Sequence, residues 1–127
     1  MIELVKVLTV ILRAALSETY YDKNRKEKVI YPYATFDLDS EYIERNQEGF
    51  YLDIDIFDLN SSYLKLFEVE NNFKDTLIYK RELTEEFNLI FSFQGSNKVP
   101  MNDEDLKRRT LRFYVKIDWR TKEYGIA

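Results

Sequence analysis

The sequence predicts an α+β fold in which two helices pack on one four-stranded, mainly antiparallel sheet. The predicted order is α-β-β-α-β-β, with a long hairpin loop between the first two strands. Two segments repeat apolar residues at helical spacing, and four segments alternate apolar and polar residues as strands do. Because no repeat, low-complexity tract or linker separates them, we expect residues 1–127 to form a single domain around one core.

The first helix is predicted in the opening run "MIELVKVLTVILRAALS". Its polar residues recur at steps of three or four, at Glu3, Lys6, Thr9, Arg13 and Ser17. The run is shorter than the roughly 20 residues that span a bilayer, and it lacks the basic start and small-residue exit of a secretory signal. It is therefore expected to be an amphipathic core helix, with no membrane contact. The polar residues 17–28 that follow are predicted to be a mobile basic loop.

The first strand is predicted in "KVIYPYATFDLD", residues 28–39, which is rich in aromatic and β-branched residues. Pro32 cannot donate a ladder hydrogen bond, so this strand is expected at a sheet edge or at a bulge. Because another chain can attach at an edge, the segment gives three candidate contact residues, Tyr31, Pro32 and Tyr33. Residues 40–49 are predicted to be the long hairpin loop, with an acidic tip at Glu41, Glu44 and Glu48.

The second strand carries the most unusual feature of the sequence, the acids of "FYLDIDIFDLN", residues 50–60. Alternation places Asp53 and Asp55 on the polar face of the strand. Asp58 falls on the apolar side at the end of the strand, so we expect it to serve the turn into the second helix. That helix is predicted from Tyr63 to Leu77, after N-cap residues at positions 60–62.

The last two strands are predicted at residues 87–95 and 110–120, where apolar and polar residues alternate again. Between them, the segment "PMNDEDLKRR" joins an acidic triplet to a basic triplet, so it suits a contact between subunits; a solvated loop is the alternative. The candidate contact residues are Asp103, Glu104, Asp105, Lys107, Arg108 and Arg109.

Composition limits the chemistry of the chain. It contains neither Cys nor His, which removes disulfides, thiolate metal sites, the commonest general base and every Ser-His triad. The net charge of −4 disfavours a large surface that binds DNA phosphates. The sequence therefore predicts no catalytic residue and no cofactor.

Asp53 and Asp55 are the best candidates for a metal site, because residues two apart on a strand leave the same face about 6 to 7 Å apart. A divalent-metal nuclease of the restriction type would follow such acids with a Lys, but here Asp55 occupies that position. A calcium loop would need a turn with a central Gly. The alternative is a solvated strand face whose acids pair across strands with the basic row Arg112, Lys116 and Arg120. The prediction is accordingly no metal site.

Three motifs together resemble a known family, the small tail-terminator or tail-to-head joining (tail completion) proteins of long-tailed phages and prophages of Gram-positive hosts. They are "VIYPYATFDLD", "YLDIDIFD" and "NKVPMNDEDLKRRTLRFYVKID", in that order and at the usual spacing. The family often has Trp where this chain has Phe57. The resemblance implies a non-enzymatic virion protein, assembled in the host cytoplasm and placed at the head-proximal end of the tail.

What the resemblance implies about partners is equally specific. The chain would form a ring, expected to contain six copies, which caps the tail-tube protein and meets the head-tail connector proteins while DNA passes through its channel. Acidic side chains that line the channel would repel phosphates. Candidates for this lining are Asp53, Asp55, Glu41, Glu44 and Glu48. A connector-side adaptor or stopper ring is the alternative within the same class.

Overall fold

The computed structural model describes residues 2–44, 47–78 and 80–120 of the chain, without the side chain of Glu44. In chain order the elements are α1 (Ile2–Ala15), β1 (Thr19–Tyr21), β2 (Tyr33–Glu44), β3 (Gln47–Leu59), α2 (Leu64–Leu77), β4 (Arg81–Leu83), β5 (Phe87–Val99) and β6 (Leu106–Trp119). The order is thus α-β-β-β-α-β-β-β.

All six strands form one mixed sheet in the order β1-β2-β3-β6-β5-β4. β1 is parallel to β2, whereas every other neighbouring pair is antiparallel. The prediction of a four-stranded sheet in the order α-β-β-α-β-β is therefore wrong. The prediction of two helices agrees with the structure, and α2 packs against β3, β5 and β6.

The two strands that the sequence did not reveal are the edges of the sheet, β1 and β4. Each has only three residues, which is too short for an alternation of apolar and polar residues to be recognised. β1 lies in residues 17–28, the segment predicted to be a mobile loop. Its Thr19 is fully buried, and the Thr19 hydroxyl donates to the carbonyl of Leu16 at 2.6 Å. β1, not β2, consequently forms the edge, and Pro32 lies just before β2 begins.

The predicted long hairpin loop at residues 40–49 is also wrong. β2 continues to Glu44 and β3 begins at Gln47, and Glu41 pairs with Gly49 across the ladder. Polar residues predominate here because this end of the hairpin extends beyond the apolar core, so its strands have little apolar surface to bury. A register shift between Tyr42 and Glu44 marks a bulge in β2.

The core lies between the helices and one face of the sheet, and it is built as the alternation predicted. Phe50, Leu52, Ile54 and Ile56 of β3 are at most 1% exposed. β6 and β5 add Leu111, Phe113, Val115, Ile117, Trp119, Phe87, Leu89 and Phe91, and the helices cover them with Leu4, Leu8, Leu12, Leu66, Val69, Phe73 and Leu77. No helix in the described part of the chain is long and apolar enough to span a membrane.

Candidate functional site

The face of the sheet opposite the helices, here called the outer face, holds the acids that the sequence singled out. The sheet is curved there around an open concavity of about 860 Å³. Its lining comes from four neighbouring strands and includes Asp37, Asp53, Asp55, Asn97, Arg108, Thr110 and Arg112. Since residues paired across a ladder point to the same face, the register fixes which of these groups meet.

One cross-strand row brings Asp37 of β2, Asp53 of β3 and Arg112 of β6 side by side. The Arg112 guanidinium donates to both carboxylate oxygens of Asp53, with Nε–Oδ1 at 2.8 Å and Nη2–Oδ2 at 3.0 Å. It also lies 4.8 Å from the centre of the Tyr51 ring. The hydrogen bonding of its guanidinium to the Asp53 carboxylate raises the pKa of Arg112. The predicted cross-strand pairing of Arg112 with an acid of this face is thus confirmed.

In the next row along the strands Asp55 lies opposite Thr110, and Arg108, which lies opposite Phe57, reaches Asp55 diagonally. Arg108 donates to Asp55 Oδ1 from Nε at 3.1 Å and from Nη2 at 3.0 Å, and the Thr110 hydroxyl donates to the same oxygen. The Arg108 guanidinium lies 5.4 Å from the centre of the Phe57 ring, which in turn stacks on Tyr33 at 4.7 Å. Each aspartate is therefore matched to one arginine, and each arginine is held over one aromatic ring.

Asp37 differs from its neighbours because it lies directly opposite Asp53, so that two carboxylates face each other across the ladder. Burial raises the pKa of Asp37, and the nearby carboxylates of Asp22, Asp39, Asp55 and Asp53 raise it further. The outer face thus combines two Asp-Arg ion pairs with a third carboxylate, Asp37, whose ionised form is disfavoured by burial and by the neighbouring acids.

The other predicted channel residues lie near the β2–β3 hairpin and are not grouped on one face. Glu41 pairs with Gly49 and points to the outer face. Glu48 points to the opposite face, where its carboxylate accepts a hydrogen bond from Trp119 Nε1 at 3.0 Å. The side chain of Glu44 lies outside the described residues. The sequence did not indicate that Glu41 and Glu48 point to opposite faces, because it predicted a loop where the structure has paired strands.

The predicted contact residues occupy two places. Tyr31, Pro32 and Tyr33 lead into β2, and Tyr31 and Tyr33 are in ring contact at 5.6 Å. In the second segment, Asp103 accepts a hydrogen bond from the backbone of Asp105, and the ammonium of Lys107 donates to the carbonyl of Glu104. β6 begins at Leu106, so Arg108 and Arg109 lie within the strand. Because successive side chains of a strand point to opposite faces, Arg108 points to the outer face and Arg109 points to the helix side.

Arg109 belongs to a buried cluster that sequence reasoning missed. Its Nε donates a hydrogen bond to Glu70 of α2 at 2.8 Å. Glu70 also accepts a hydrogen bond from the Ser96 hydroxyl at 2.9 Å and forms an ion pair with Lys74 at 2.9 Å. The only sequence signal was a Glu on the apolar side of α2. This cluster ties α2 to β5 and β6 behind the outer face.

Two acids of the outer face, Asp53 and Asp55, are engaged mainly by arginines. In the described ranges no group of three or more His, Cys, Asp or Glu side chains is placed to hold a metal ion. Both carboxylate oxygens of Asp53 are engaged by Arg112, and Oδ1 of Asp55 is engaged by Arg108 and Thr110. The outer face is thus polar, and two of its arginines are each paired with an aspartate and lie over an aromatic ring.

Comparison with known protein families and with curated proteins finds no match. Comparison with solved structures finds a similar chain in the structure titled "Virion of native gene transfer agent (GTA) particle". The two chains are 14% identical, the similarity covers 84% of each, and the TM-score is 0.67. At this identity the similarity shows that the two chains share a fold.

Proposed function

We propose that this protein is a non-enzymatic structural component of a phage-type virion, a tail terminator whose ring caps the tail tube and joins the tail to the head. The observation that carries the proposal is the fold shared, over 84% of both chains, with a chain of a gene transfer agent virion. The three ordered sequence motifs, which resemble tail-terminator and tail completion proteins, support it independently.

The outer face supports a role beside a DNA channel. On β2, β3 and β6 the register places six carboxylates on this face against three cations: Asp37, Asp39, Glu41, Asp53, Asp55 and Asp118 against Arg108, Arg112 and Lys116. Two of the cations are bound to aspartates, which leaves little positive charge for phosphates. A face with these properties lets DNA slide past without adhering, so we assign it to the channel side of the ring.

Deletion of the gene, followed by electron microscopy of the particles, tests the role. A terminator predicts filled heads beside unjoined tails of irregular length, because nothing stops growth of the tube. A connector-side stopper predicts heads that lose their DNA while tails reach normal length. Tails of normal length joined to stable heads would contradict both roles.

Binding assays distinguish the two partners. A terminator should co-assemble with the tail-tube protein, whereas a connector adaptor should bind the portal-side rings. As a check on a different class of protein, purified chain incubated with DNA and Mg²⁺ should leave the DNA intact. Cleavage that Asp53→Ala abolishes would replace the structural role with a nuclease.

A further inference from the structure

A second concavity of the protein is lined by cations. It is open, has a volume of about 500 Å³, and lies where α1 packs beside β1 and the segment that follows β1. Its lining residues, which define the basic concavity, are Thr9, Arg13, Tyr20, Tyr21, Lys23, Arg25 and Lys26. Four of them are cationic and none is acidic, although the chain has a net charge of −4. Because a cleft lined by one sign of charge focuses its field, the basic concavity should attract anions.

Internal contacts hold two of these cations beside one aromatic ring. The Arg13 guanidinium lies 5.6 Å from the centre of the Tyr20 ring, and the Lys26 ammonium lies 5.8 Å from it. Arg13 Nε also donates to the carbonyl of Thr19 at 2.9 Å, a neutral partner that leaves the charge of Arg13 unmatched. Side chains that are already positioned lose less freedom when a ligand binds.

Acids near the basic concavity neutralise only part of its charge. Two of the four cations have acidic partners, namely Lys26 with Glu18 at 2.8 Å and Arg25 with Asp22 at 3.7 Å. The Arg25 pair is exposed on both sides, so it stabilises the protein little and competes weakly with a ligand. Arg13 and Lys23 form no ion pair within 4 Å with any acid among the described residues. The basic concavity therefore keeps positive charge for a ligand.

The surroundings favour a short acidic protein segment over DNA. Asp22, at the rim, donates its backbone N–H to the carbonyl of Phe36 at 2.9 Å. Asp37 and Asp39 follow on that strand and are exposed. A duplex lying across the concavity would bring its phosphates against these acids, and duplex affinity needs cations along an extended face. Tyr21 lines the concavity and is 43% exposed, and exposed tyrosines are typical of protein interfaces.

The acidic turns of the chain itself are poorer counterparts, because cations lie beside them. The β4 edge holds three acids and three cations, namely Glu82, Glu85 and Glu86 with Lys80, Arg81 and Arg120. Beside the turn that contains Asp103, Glu104 and Asp105, the Lys107 ammonium donates to the Glu104 carbonyl. Lys98 and Lys107 both lie over the Tyr63 ring, at 5.0 and 5.7 Å. A segment with carboxylates and no cations is therefore expected in another protein.

We propose that the basic concavity binds a short acidic segment of a partner protein, whose carboxylates are received by Arg13, Lys23 and Arg25. A guanidinium can donate two parallel hydrogen bonds to one carboxylate, which makes these pairs strong and directional. Opposite charge also speeds the encounter and excludes basic partners. Only the source of the segment, a neighbouring protein of the virion, rests on the proposed function.

NMR titration of the isotopically labelled full-length protein tests the site. The probe is a capped peptide, Gly-Asp-Glu-Asp-Gly, and its control is the uncharged peptide Gly-Asn-Gln-Asn-Gly. The acidic probe should shift the backbone amide signals of Arg13 and of residues 19–26 until they saturate, and the control peptide should not. Because the attraction is between charges at the surface, Kd should rise about tenfold or more when the salt concentration reaches about 0.5 M.

Charge reversal locates the binding. Lys23→Glu with Arg25→Glu should weaken binding of the acidic probe about tenfold or more. Lys65→Glu with Arg81→Glu makes the same change in net charge at two exposed positions away from the basic concavity, so it is the matched control. It should change Kd by less than about twofold, because distant surface charges are screened. Circular dichroism should confirm that both variants are folded.

Other results would overturn the proposal. Equal weakening by the two pairs of reversals, or equal shifts with the two peptides, would reject a carboxylate site here. A short DNA duplex that displaces the acidic probe at a lower concentration than the probe's own Kd would make the ligand nucleic acid. Self-association of the wild type that Lys23→Glu with Arg25→Glu abolishes would make the occupant a second copy.

Failure of the site and failure of the proposed function are distinguishable. No saturable shift with the acidic probe, together with unjoined tails of irregular length after gene deletion, would reject the site and leave the terminator function. Saturable binding at the basic concavity, together with normal particles after gene deletion, would reject the function and leave the site.

Discussion

Glu70 of α2 and Arg109 of β6 form an ion pair at 2.8 Å in which the side chains are only 7% and 14% exposed. The pair joins the helix layer to the sheet directly behind the outer face. Because Ser96 bonds to both partners, at 2.9 Å to Glu70 and at 3.0 Å to Arg109, the cluster also fixes the segment of β5 that follows Gly95. The strands that carry the candidate site are therefore held to the helix layer by a contact on the other side of the sheet.

Replacement of Glu70 should destabilise the protein strongly. Glu70→Ala leaves the Arg109 guanidinium buried without its carboxylate, and loss of one partner of a buried pair typically costs about 3 to 5 kcal/mol. Urea unfolding followed by circular dichroism measures the change. Glu68→Ala is the matched control, since Glu68 lies on the exposed side of the same helix beside Lys65 and should shift stability by about 0.5 kcal/mol or less. Equal effects of the two changes would contradict the structural role of the cluster.

The same carboxyl should make the protein sensitive to acid. Burial opposes ionisation of Glu70, but the hydrogen bonds from Lys74, Arg109 and Ser96 together outweigh it, so its pKa lies below the ordinary value of 4.5. The unfolded chain then binds a proton more readily than the folded chain, and stability rises with pH across this range. The contribution of Glu70 is present above about pH 4.5 and is lost as the pH falls through the lowered pKa.

Unfolding free energies measured from pH 3 to 7 check this sign. Wild type should lose stability on acidification faster than Glu70→Gln, which has no proton to gain at this position. The two curves should approach each other at the acid end, since the wild-type carboxyl is then neutral as well. Parallel curves across the whole range would show that Glu70 does not contribute to the acid response.

The extent to which the sequence predicted the fold depends on the length of each element. The long strands could be recognised because each buries one row of side chains, as Phe50, Leu52, Ile54 and Ile56 show. The three-residue edges gave no such pattern, since their positions are fixed by ladder hydrogen bonds and by single anchors such as Thr19. The end of the hairpin was misread because strand pairing there continues beyond the apolar core that gives strands their sequence pattern.

The candidate site was predictable as a face but not as a set of contacts. Alternation placed Asp53 and Asp55 on one surface and indicated Arg112 as a partner. It could not show that β6 begins at Leu106, which brings Arg108 to Asp55. Nor could it show that Arg120 donates to the carbonyl of Thr84, or that Lys116 lies opposite Gly49 rather than an acid. Register across strands is a tertiary property, so a single sequence does not reveal which charges meet.

Gly49 should not tolerate a side chain. Gly49 lies opposite Lys116 in the ladder. The end of the Tyr114 ring, which contacts the Tyr51 ring, occupies the space that a Cβ at Gly49 would require. Gly49→Ala should cost about 1 to 3 kcal/mol, as overpacking typically does. In combination with Tyr114→Ala the cost should be clearly less than the sum of the two single changes, because the obstructing ring is gone. Simple additivity in urea unfolding would contradict the close packing of these residues.

Neutralising the aspartates of the outer face should create DNA affinity that the wild type lacks. Asp53→Asn with Asp55→Asn releases the guanidiniums of Arg112 and Arg108, which are otherwise engaged at 2.8 to 3.1 Å, onto a face that the proposed function turns toward DNA. Two freed cations should make the dependence of log affinity on log salt steeper by about −1.8. Fluorescence anisotropy with a short duplex, at several salt concentrations, measures this slope.

The control adds Arg108→Ala and Arg112→Ala to the neutralised chain, which should remove the gained affinity. Circular dichroism should confirm that each variant is folded. A wild type that binds the duplex as tightly as the neutralised chain would contradict the assignment of this face to the channel, because its arginines would then be accessible to phosphates despite their aspartate partners.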